Sequence, residues 1–231
     1  MEHNKNNVII YSGGLDSTVL LYYIINILKE RDIHLLTFDY GQKNGEMERK
    51  CAAYHFQELS DMGFVKSWNV MNMTEYAEMV KRSKCSLTNS TINNTDLFKD
   101  KVPVAYVPNR NLTMLTYAAT YCEIVGGKKV YYGAHNSDTE ANFWDCTSQF
   151  VSNLNNLLGL NISNPISIEA PFINSNKDFI LETGIKLGVD FTKTYTCYEG
   201  KEIPCGKCLS CIGRIESFKK IKERDPIVYA K

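Results

Sequence analysis

The chain has 231 residues, 44% hydrophobic and 23% charged, the balance of an ordinary globular protein with room for a sizeable core. Its 26 basic and 26 acidic residues cancel, which argues against a broad electrostatic surface for nucleic acid or anionic membrane and favours a small substrate. No apolar run reaches the roughly 18 residues of a membrane span and the first seven residues show no secretory pattern, so a cytoplasmic protein is expected.

The first element is an apolar run, Val8 to Tyr11, that breaks into Ser12-Gly13-Gly14-Leu15-Asp16-Ser17-Thr18 and then into a helical pattern. It reads as strand, loop and helix start. The glycines allow a tight turn and close approach to a ligand, and the short polar side chains sit beside the unpaired N–H groups that open a helix. Such a loop favours an anion, phosphate or pyrophosphate. On turn chemistry alone, a plain Gly-Gly connection stays open as the alternative. No Gly-x-x-x-x-Gly-Lys-Ser/Thr or Gly-x-Gly-x-x-Gly string occurs, which removes support from kinase-like and dehydrogenase-like readings.

Thr18 to Lys29 has an apolar pattern at helical spacing, Ile33 to Tyr40 is a second strand, and Glu46 to about Ser60 is a charged helix. Phe64 to Val70 is a third strand, and Thr74 caps a short helix to Arg82. Three such units predict a parallel sheet with helices on both faces. Residues 83–101 offer turn chemistry and no periodic face, so a mobile loop is expected there. Leu112 to Val125 is a buried helix ending at Gly126-Gly127, Lys129 to Ala134 the fourth strand, Cys146 to Leu158 a helix, and Ser167 to Phe172 the fifth strand. Ser175 caps a last helix of this unit, running to about Leu187. The loops after the first, second and fourth strands could face one crevice beyond the strands' carboxyl ends.

Eight cysteines fall into two groups. Cys51, Cys85, Cys122 and Cys146 are scattered and read as small buried hydrophobes. Cys197, Cys205, Cys208 and Cys211 follow C-x7-C-x2-C-x2-C, a spacing that suits a closed tetrahedral zinc site, with Gly200 and Gly206 supplying tight turns. The chain is therefore divided into an α/β domain, residues 1–190, and a metal-binding C-terminal segment, residues 191–231. In that segment Ile215, Phe218 and Ile221 at helical spacing predict a packed amphipathic helix with a solvated basic face made by Arg214, Lys219, Lys220, Lys222 and Arg224.

Ser-Gly-Gly-x-Asp-Ser-Thr after a hydrophobic strand resembles the PP-loop of the ATP pyrophosphatase superfamily. With Phe38-Asp39-Tyr40-Gly41-Gln42, Ser86-Leu87-Thr88, Val107-Pro108-Asn109-Arg110-Asn111, Tyr132-Gly133-Ala134-His135, Asp145-Cys146, Thr196-Cys197-Tyr198-Glu199-Gly200 and the last three cysteines in order, nearly the whole chain resembles QueC, the 7-cyano-7-deazaguanine synthase family. The resemblance implies a Rossmann-like, adenine nucleotide alpha hydrolase-like sheet of about five parallel strands. It also implies ATP as cofactor with Mg2+ and structural Zn2+, 7-carboxy-7-deazaguanine and ammonia as partners, a homodimer, and conversion of a ring carboxylate into a nitrile through adenylated intermediates with release of AMP and pyrophosphate. An iron–sulfur cluster also accepts four cysteines, but the implied reaction needs no electron carrier.

Under that resemblance ATP lies along Tyr11, Ser12, Gly13, Gly14, Leu15, Asp16, Ser17 and Thr18, with Asp39 and Gln42 beside it. Asp16 organises the loop or assists Mg2+, Arg110 clamps charge, and Lys177 neutralises phosphate; the bland readings of the last two are surface cations at helix starts. Asn109, Arg110, Asn111, His135, Phe143 and Asp145 are placed against the deazaguanine, Asp145 with a capping role as its alternative and His135 with a merely hydrogen-bonded one. One stretch departs from the pattern: where the family has Ser-Gly-Tyr-Pro before Asp-Cys and an Arg after it, this chain reads Ala141-Asn142-Phe143-Trp144-Asp145-Cys146-Thr147. A divergent QueC-like group linked with anti-phage defence joins the deazaguanine carboxylate to a protein amine as an amide, and this departure keeps that outcome open beside nitrile synthesis. A zinc-ribbon module contacting nucleic acid through the basic C-terminal stretch is the non-enzyme alternative.

Overall fold

The computed structural model describes residues 6–83, 85–89, 98–99, 102–136 and 143–230. β1 (Val8–Ile10) and β2 (Ile33–Asp39) are largely apolar runs buried nearly throughout, and helical spacing takes over in α1 (Leu15–Asn26) and α2 (Gly45–Asp61), giving two βα units; β3 (Val65–Asn72) leads into the short α3 (Thr74–Val80). A two-residue antiparallel hairpin, β4 (Phe98–Lys99) and β5 (Val102–Pro103), precedes α4 (Arg110–Ile124) and β6 (Lys129–Tyr131). Then come α5 (Ser148–Leu158), β7 (Ser167–Glu169), α6 (Lys177–Lys186) and α7 (Leu209–Lys220).

The main sheet has the order β3-β2-β1-β6-β7, and every pairing is parallel. This is the predicted five-stranded sheet. Because strand side chains alternate, Val8, Leu36, Val130 and Ile168 join the core under α4 and α5, and Ile9, Leu35 and Tyr131 join the core under α1, α2, α6 and α7. The chain builds outward from β1 on one flank and returns to pair β6 on the other. The carboxyl ends of β1 and β6 therefore open onto the point where the strand order reverses.

Three local expectations are corrected. Thr74 does not cap α3: Met73 occupies the cap position, tied to the end of β2 by its N–H on the Asp39 carbonyl at 2.8 Å. Ser175 does not cap α6, because its N–H closes a turn on the Phe172 carbonyl and the neighbouring Asn176 Oδ1 takes the Phe179 N–H at 2.9 Å. The stretch expected as a mobile loop begins as packed chain: Cys85, Ser86, Leu87 and Thr88 are buried, and the Ser86 and Leu87 backbones bond to Val104 and Lys43. Residues 84, 90–97, 100 and 101 lie outside the described residues.

The C-terminal segment packs onto the sheet domain. Phe191 and Phe218 meet edge to face within the core under α1 and α6. Arg214, expected on a solvated basic face, is instead fully buried. Its fork binds both Asp225 oxygens, at 2.9 and 3.0 Å, and its remaining N–H groups reach the Thr194 hydroxyl and the Thr194 and Phe191 carbonyls. All of its charge is matched, a condition for burying a guanidinium. Phe218 is buried as predicted and Ile221 partly so, but Ile215, expected on the packed face, is exposed.

Arg214→Ala leaves Asp225 buried without its cation, so it is expected to cost about 3–5 kcal/mol of stability, measured as a fall in the denaturant midpoint without loss of the two-state transition.

Candidate active site

At the reversal point lies a cavity of about 280 Å³. Its first wall is the loop from β1 into α1. Ser12 and Ser17 share a hydrogen bond between hydroxyls at 3.0 Å, the Gly14 N–H donates to Ser12 Oγ at 3.1 Å, and Ser17 Oγ donates to the Gly14 carbonyl at 3.2 Å. These contacts hold the loop open around the first turn of α1, whose leading N–H groups have no acceptor within the helix. The result is a concave, positively polarised rim suited to an anion.

The two glycines do different work. Gly13 has φ +78°, and a Cβ there would lie 2.4 Å from the Glu48 carbonyl oxygen and 2.6 Å from the Ala52 nitrogen, so it serves the approach of α2 to the loop. Gly14 lines the cavity and starts α1. Thr18, expected as a phosphate ligand, is turned inward: it is fully buried, its hydroxyl pairs with that of Tyr11 at 3.2 Å, and its N–H is taken by the Gly14 carbonyl. Tyr11, Ser12, Leu15, Asp16 and Ser17 remain on the wall.

Asp16 is the electrostatic centre of this rim. Its Oδ2 accepts from Lys177 Nζ at 3.0 Å and stands 3.7 Å from His135 Nε2, so residues following β1, β6 and β7 converge on one carboxylate. Burial alone would raise the Asp16 pKa, but Lys177 and His135 outweigh it and hold the group well below the usual carboxylate range. Asp16 Oδ1 is buried with no partner among the described residues. Lys177 is the first residue of α6 and mostly buried, so its reading as an exposed surface cation falls away. His135 is buried behind Asp16 rather than on the wall.

Rings and apolar groups also line the cavity, among them Phe38, Tyr40, Met114, Tyr132 and Phe143. Arg110 opens α4 there, with Nη1 3.4 Å from the Tyr40 hydroxyl and Nε 3.4 Å from Asn111 Oδ1. Arg110, Asn111, Gln42 and Phe143 line the cavity. Asn109 does not: it takes the left-handed conformation, φ 54°, that turns the chain into α4. Asp39 faces Arg49 in an ion pair and accepts the Gly41 N–H, away from the wall. Gln42 also folds its own loop, giving Nε2–H to the Phe38 carbonyl and accepting the Tyr40 N–H. Asp145 is buried beside the wall, and it is no cap, since Thr147 Oγ1 accepts the Phe150 N–H that opens α5.

Several wall residues escaped the sequence reading. Glu48 is one: Gln42 and Asn44 amides donate to its two oxygens at 3.2 and 3.0 Å. Burial pushes its carboxyl up to about 7, against the opposing pull of Gln42, Arg110, Arg49 and Asn44. A signal was present, because Glu48 stands one helical turn before Ala52 and shares the inward stripe with His55 and Leu59. Tyr195, Thr196, Tyr198 and Ser210 come from the C-terminal segment, whose Tyr195 N–H is anchored on the Gly13 carbonyl at 3.2 Å.

The same segment holds the cysteine cluster. The sulfurs of Cys197, Cys205, Cys208 and Cys211 lie within 4.8 Å of one another, three of the residues buried. Backbone N–H groups of Glu199 and Cys205 point at Cys197 Sγ, and those of Lys207 and Cys208 at Cys205 Sγ, at 3.3–3.4 Å. Four convergent sulfurs with N–H donors around them fit a bound metal ion. Of the scattered cysteines, Cys85, Cys122 and Cys146 are buried and Cys51 half-buried; Cys146 lines the cavity.

A parallel sheet with a Ser-Gly-Gly-x-Asp-Ser loop and a helix start at its switch point defines an α/β protein of the PP-loop class. Residues 6–222 match the model for queuosine biosynthesis protein QueC, and the chain belongs to that family. The 7-cyano-7-deazaguanine synthase of Rickettsia felis is 36% identical over 237 residues, spanning 97% of this chain and 99% of that protein. The synthase of Psychromonas ingrahamii is 35% identical over 228 residues, spanning 98% of each. Among solved structures, the U34-tRNA thiolase NcsA from Methanococcus maripaludis with its [4Fe-4S] cluster matches with a TM-score of 0.51 and 13% identity, over 95% of this chain and 68% of that one, a likeness of fold.

Two outcomes follow from the loop. Gly13→Ala, forced into a left-handed backbone against α2, is expected to cost about 2–4 kcal/mol in denaturant unfolding. Because the folded Asp16 pKa lies below its unfolded value of about 3.9, its contribution is present above that value and lost as pH falls through the folded one. Asp16→Asn should lower the melting temperature at pH 7, yet lose less between pH 5 and pH 3 than the parent chain, as read by calorimetry.

Proposed function

We propose that this chain converts 7-carboxy-7-deazaguanine, ATP and ammonia into 7-cyano-7-deazaguanine, releasing AMP and pyrophosphate. The observation that carries the reading is one continuous cavity, in a chain of the QueC family, running from an anion-holding helix start to an aromatic slot. A carboxylate is a poor electrophile because oxide would have to leave. Adenylation replaces oxide with AMP, ammonia then gives the amide, and a second adenylation, on the amide oxygen, allows AMP to leave with formation of the nitrile.

In this reading Ser12, Ser17 and the leading N–H groups of α1 hold the pyrophosphate portion of ATP, and Lys177 balances charge that builds on it. Arg110, with a planar fork and Tyr40 beside it, orients the carboxylate that is to be adenylated. The ring slot takes the flat heterocycle by stacking and excludes water from the acyl adenylate. Asp16 Oδ1, buried and without a described partner, fits a Mg2+ ligand, and the ion supplies neutralising charge when bound. The four cysteines would hold Zn2+, which ties down the segment that carries Tyr195, Thr196 and Tyr198 to the cavity.

Mass spectrometry of a reaction containing carboxy-deazaguanine, ATP and ammonium should find the nitrile, with AMP and pyrophosphate as the nucleotide products. ADP and phosphate, or a product that stops at the amide even with ammonia in excess, would overturn it; the second outcome would favour conjugation to an amine. Elemental analysis should give one zinc per chain. Cys208→Ser should lose it and lower the melting temperature by several degrees, since three thiolates leave the tetrahedron open.

A further inference from the structure

Two carboxylates face the cavity among its lining residues, and their surroundings are opposite. Asp16 is compensated by the Lys177 cation at 3.0 Å, with His135 Nε2 at 3.7 Å, and stays ionised. Glu48 is held by neutral amides, Gln42 and Asn44, and no ion pair within 4.0 Å is found for it among the described residues. The cations facing it are engaged elsewhere: Arg49 on its own helix pairs with Asp39, and Arg110 on α4 turns its Nη1 to the Tyr40 hydroxyl. Tyr40 and Cys51 are the other titratable groups coupled to it, and the Glu48 charge helps to keep both protonated. A pair of acids driven apart in this way divides into a fixed charge and a proton carrier.

We infer that Glu48 is the proton acceptor for the nitrogen nucleophile. The inference rests on the proposed reaction, in which an amine must attack an acyl adenylate. The nitrogen lone pair forms the C–N bond, the bond from the acyl carbon to the AMP oxygen breaks with its electron pair leaving on AMP, and the nitrogen sheds one proton. That proton passes to a Glu48 oxygen. Two amide donors hold the carboxylate in place while each oxygen keeps a further lone pair for the incoming N–H. Asp16 cannot take this part, because its Oδ2 is committed to Lys177 and protonation would sacrifice that pair. Burial, which pushes the Glu48 carboxyl up to about 7, suits a base that must accept and release a proton near neutrality.

The experiment separates the two half-reactions in the full-length chain. Carboxy-deazaguanine-dependent exchange of pyrophosphate into ATP reports adenylation, and amide plus nitrile formation with ammonium reports nitrogen attack. In Glu48→Gln the ratio of product formation to exchange should fall about 10²-fold to 10⁴-fold. Glu48→Asp should recover part of it, and hydroxylamine, already neutral at pH 7, should narrow the deficit. In the unmodified chain, aminolysis at constant free ammonia should show an acid limb near pH 7 that adenylation lacks. An equal fall of both half-reactions, no change in the ratio, or a flat aminolysis profile in the unmodified chain would each overturn the proposal. Absence of any exchange in the unmodified chain would instead overturn the reaction on which it rests.

Discussion

A parallel strand cannot be followed by its neighbour without a crossover, and this chain makes its crossovers away from β1 in both directions. The gap left between the carboxyl ends of β1 and β6 is the constraint on which the rest depends. Beside it stand the helix start after β1, His135 after β6, and Lys177 after β7, and they meet on Asp16. The hydrogen-bonded serines shape the loop, but it is the strand order that lets residues 161 positions apart share one carboxylate.

The C-terminal segment closes the gap from outside. A metal clip of four cysteines by itself would fix only a local knot. What joins that knot to the site is a set of contacts made by its flanks: Tyr195 on the Gly13 carbonyl, Arg214 on Thr194 and Phe191, and Phe218 in the core. Gly200 belongs to the same set. With φ +67°, it passes so close to the loop after β2 that a Cβ would fall 2.0 Å from the Lys43 carbonyl oxygen. The cysteine cluster, the loop after β2 and the wall of the cavity are thus one packed unit, and disorder in the segment would strip residues from the site itself.

The parts of this architecture legible in the sequence are those set by neighbours along the chain. The apolar run through Val8 and Ile9, the helical stripe of α4 and the spacing of the cysteines each encode geometry within one element, and the structure repeats it. Where two local choices compete, the sequence does not decide. Ser175 and Asn176 are equally good caps, and a turn onto Phe172 selects the second. Arg214 was the least legible residue, because nothing beside it in the helix indicates burial; its partners are a carboxylate in the following turn region and carbonyls about twenty residues before it. Thr18 shows the same limit within the loop, since only the position of Tyr11 explains why its hydroxyl points inward.

The same distinction weighs the departures from the family pattern around Asp145. Thr147, where the resemblance places a cation, is occupied in capping α5, so its side chain is spent on the fold rather than on a ligand. Trp144 is half-exposed at the rim, stacked edge-on against Phe150 with its indole N–H on the Tyr106 hydroxyl. Phe143 alone of the three lines the cavity, and it differs from tyrosine by one hydroxyl. Loss of one hydrogen bond is worth about 1 kcal/mol, a change of affinity rather than of reaction. Arg110, Asn111 and the ring slot persist around it. The balance of contacts therefore favours the family's common chemistry, with Phe143 the one altered residue of the three on the cavity wall.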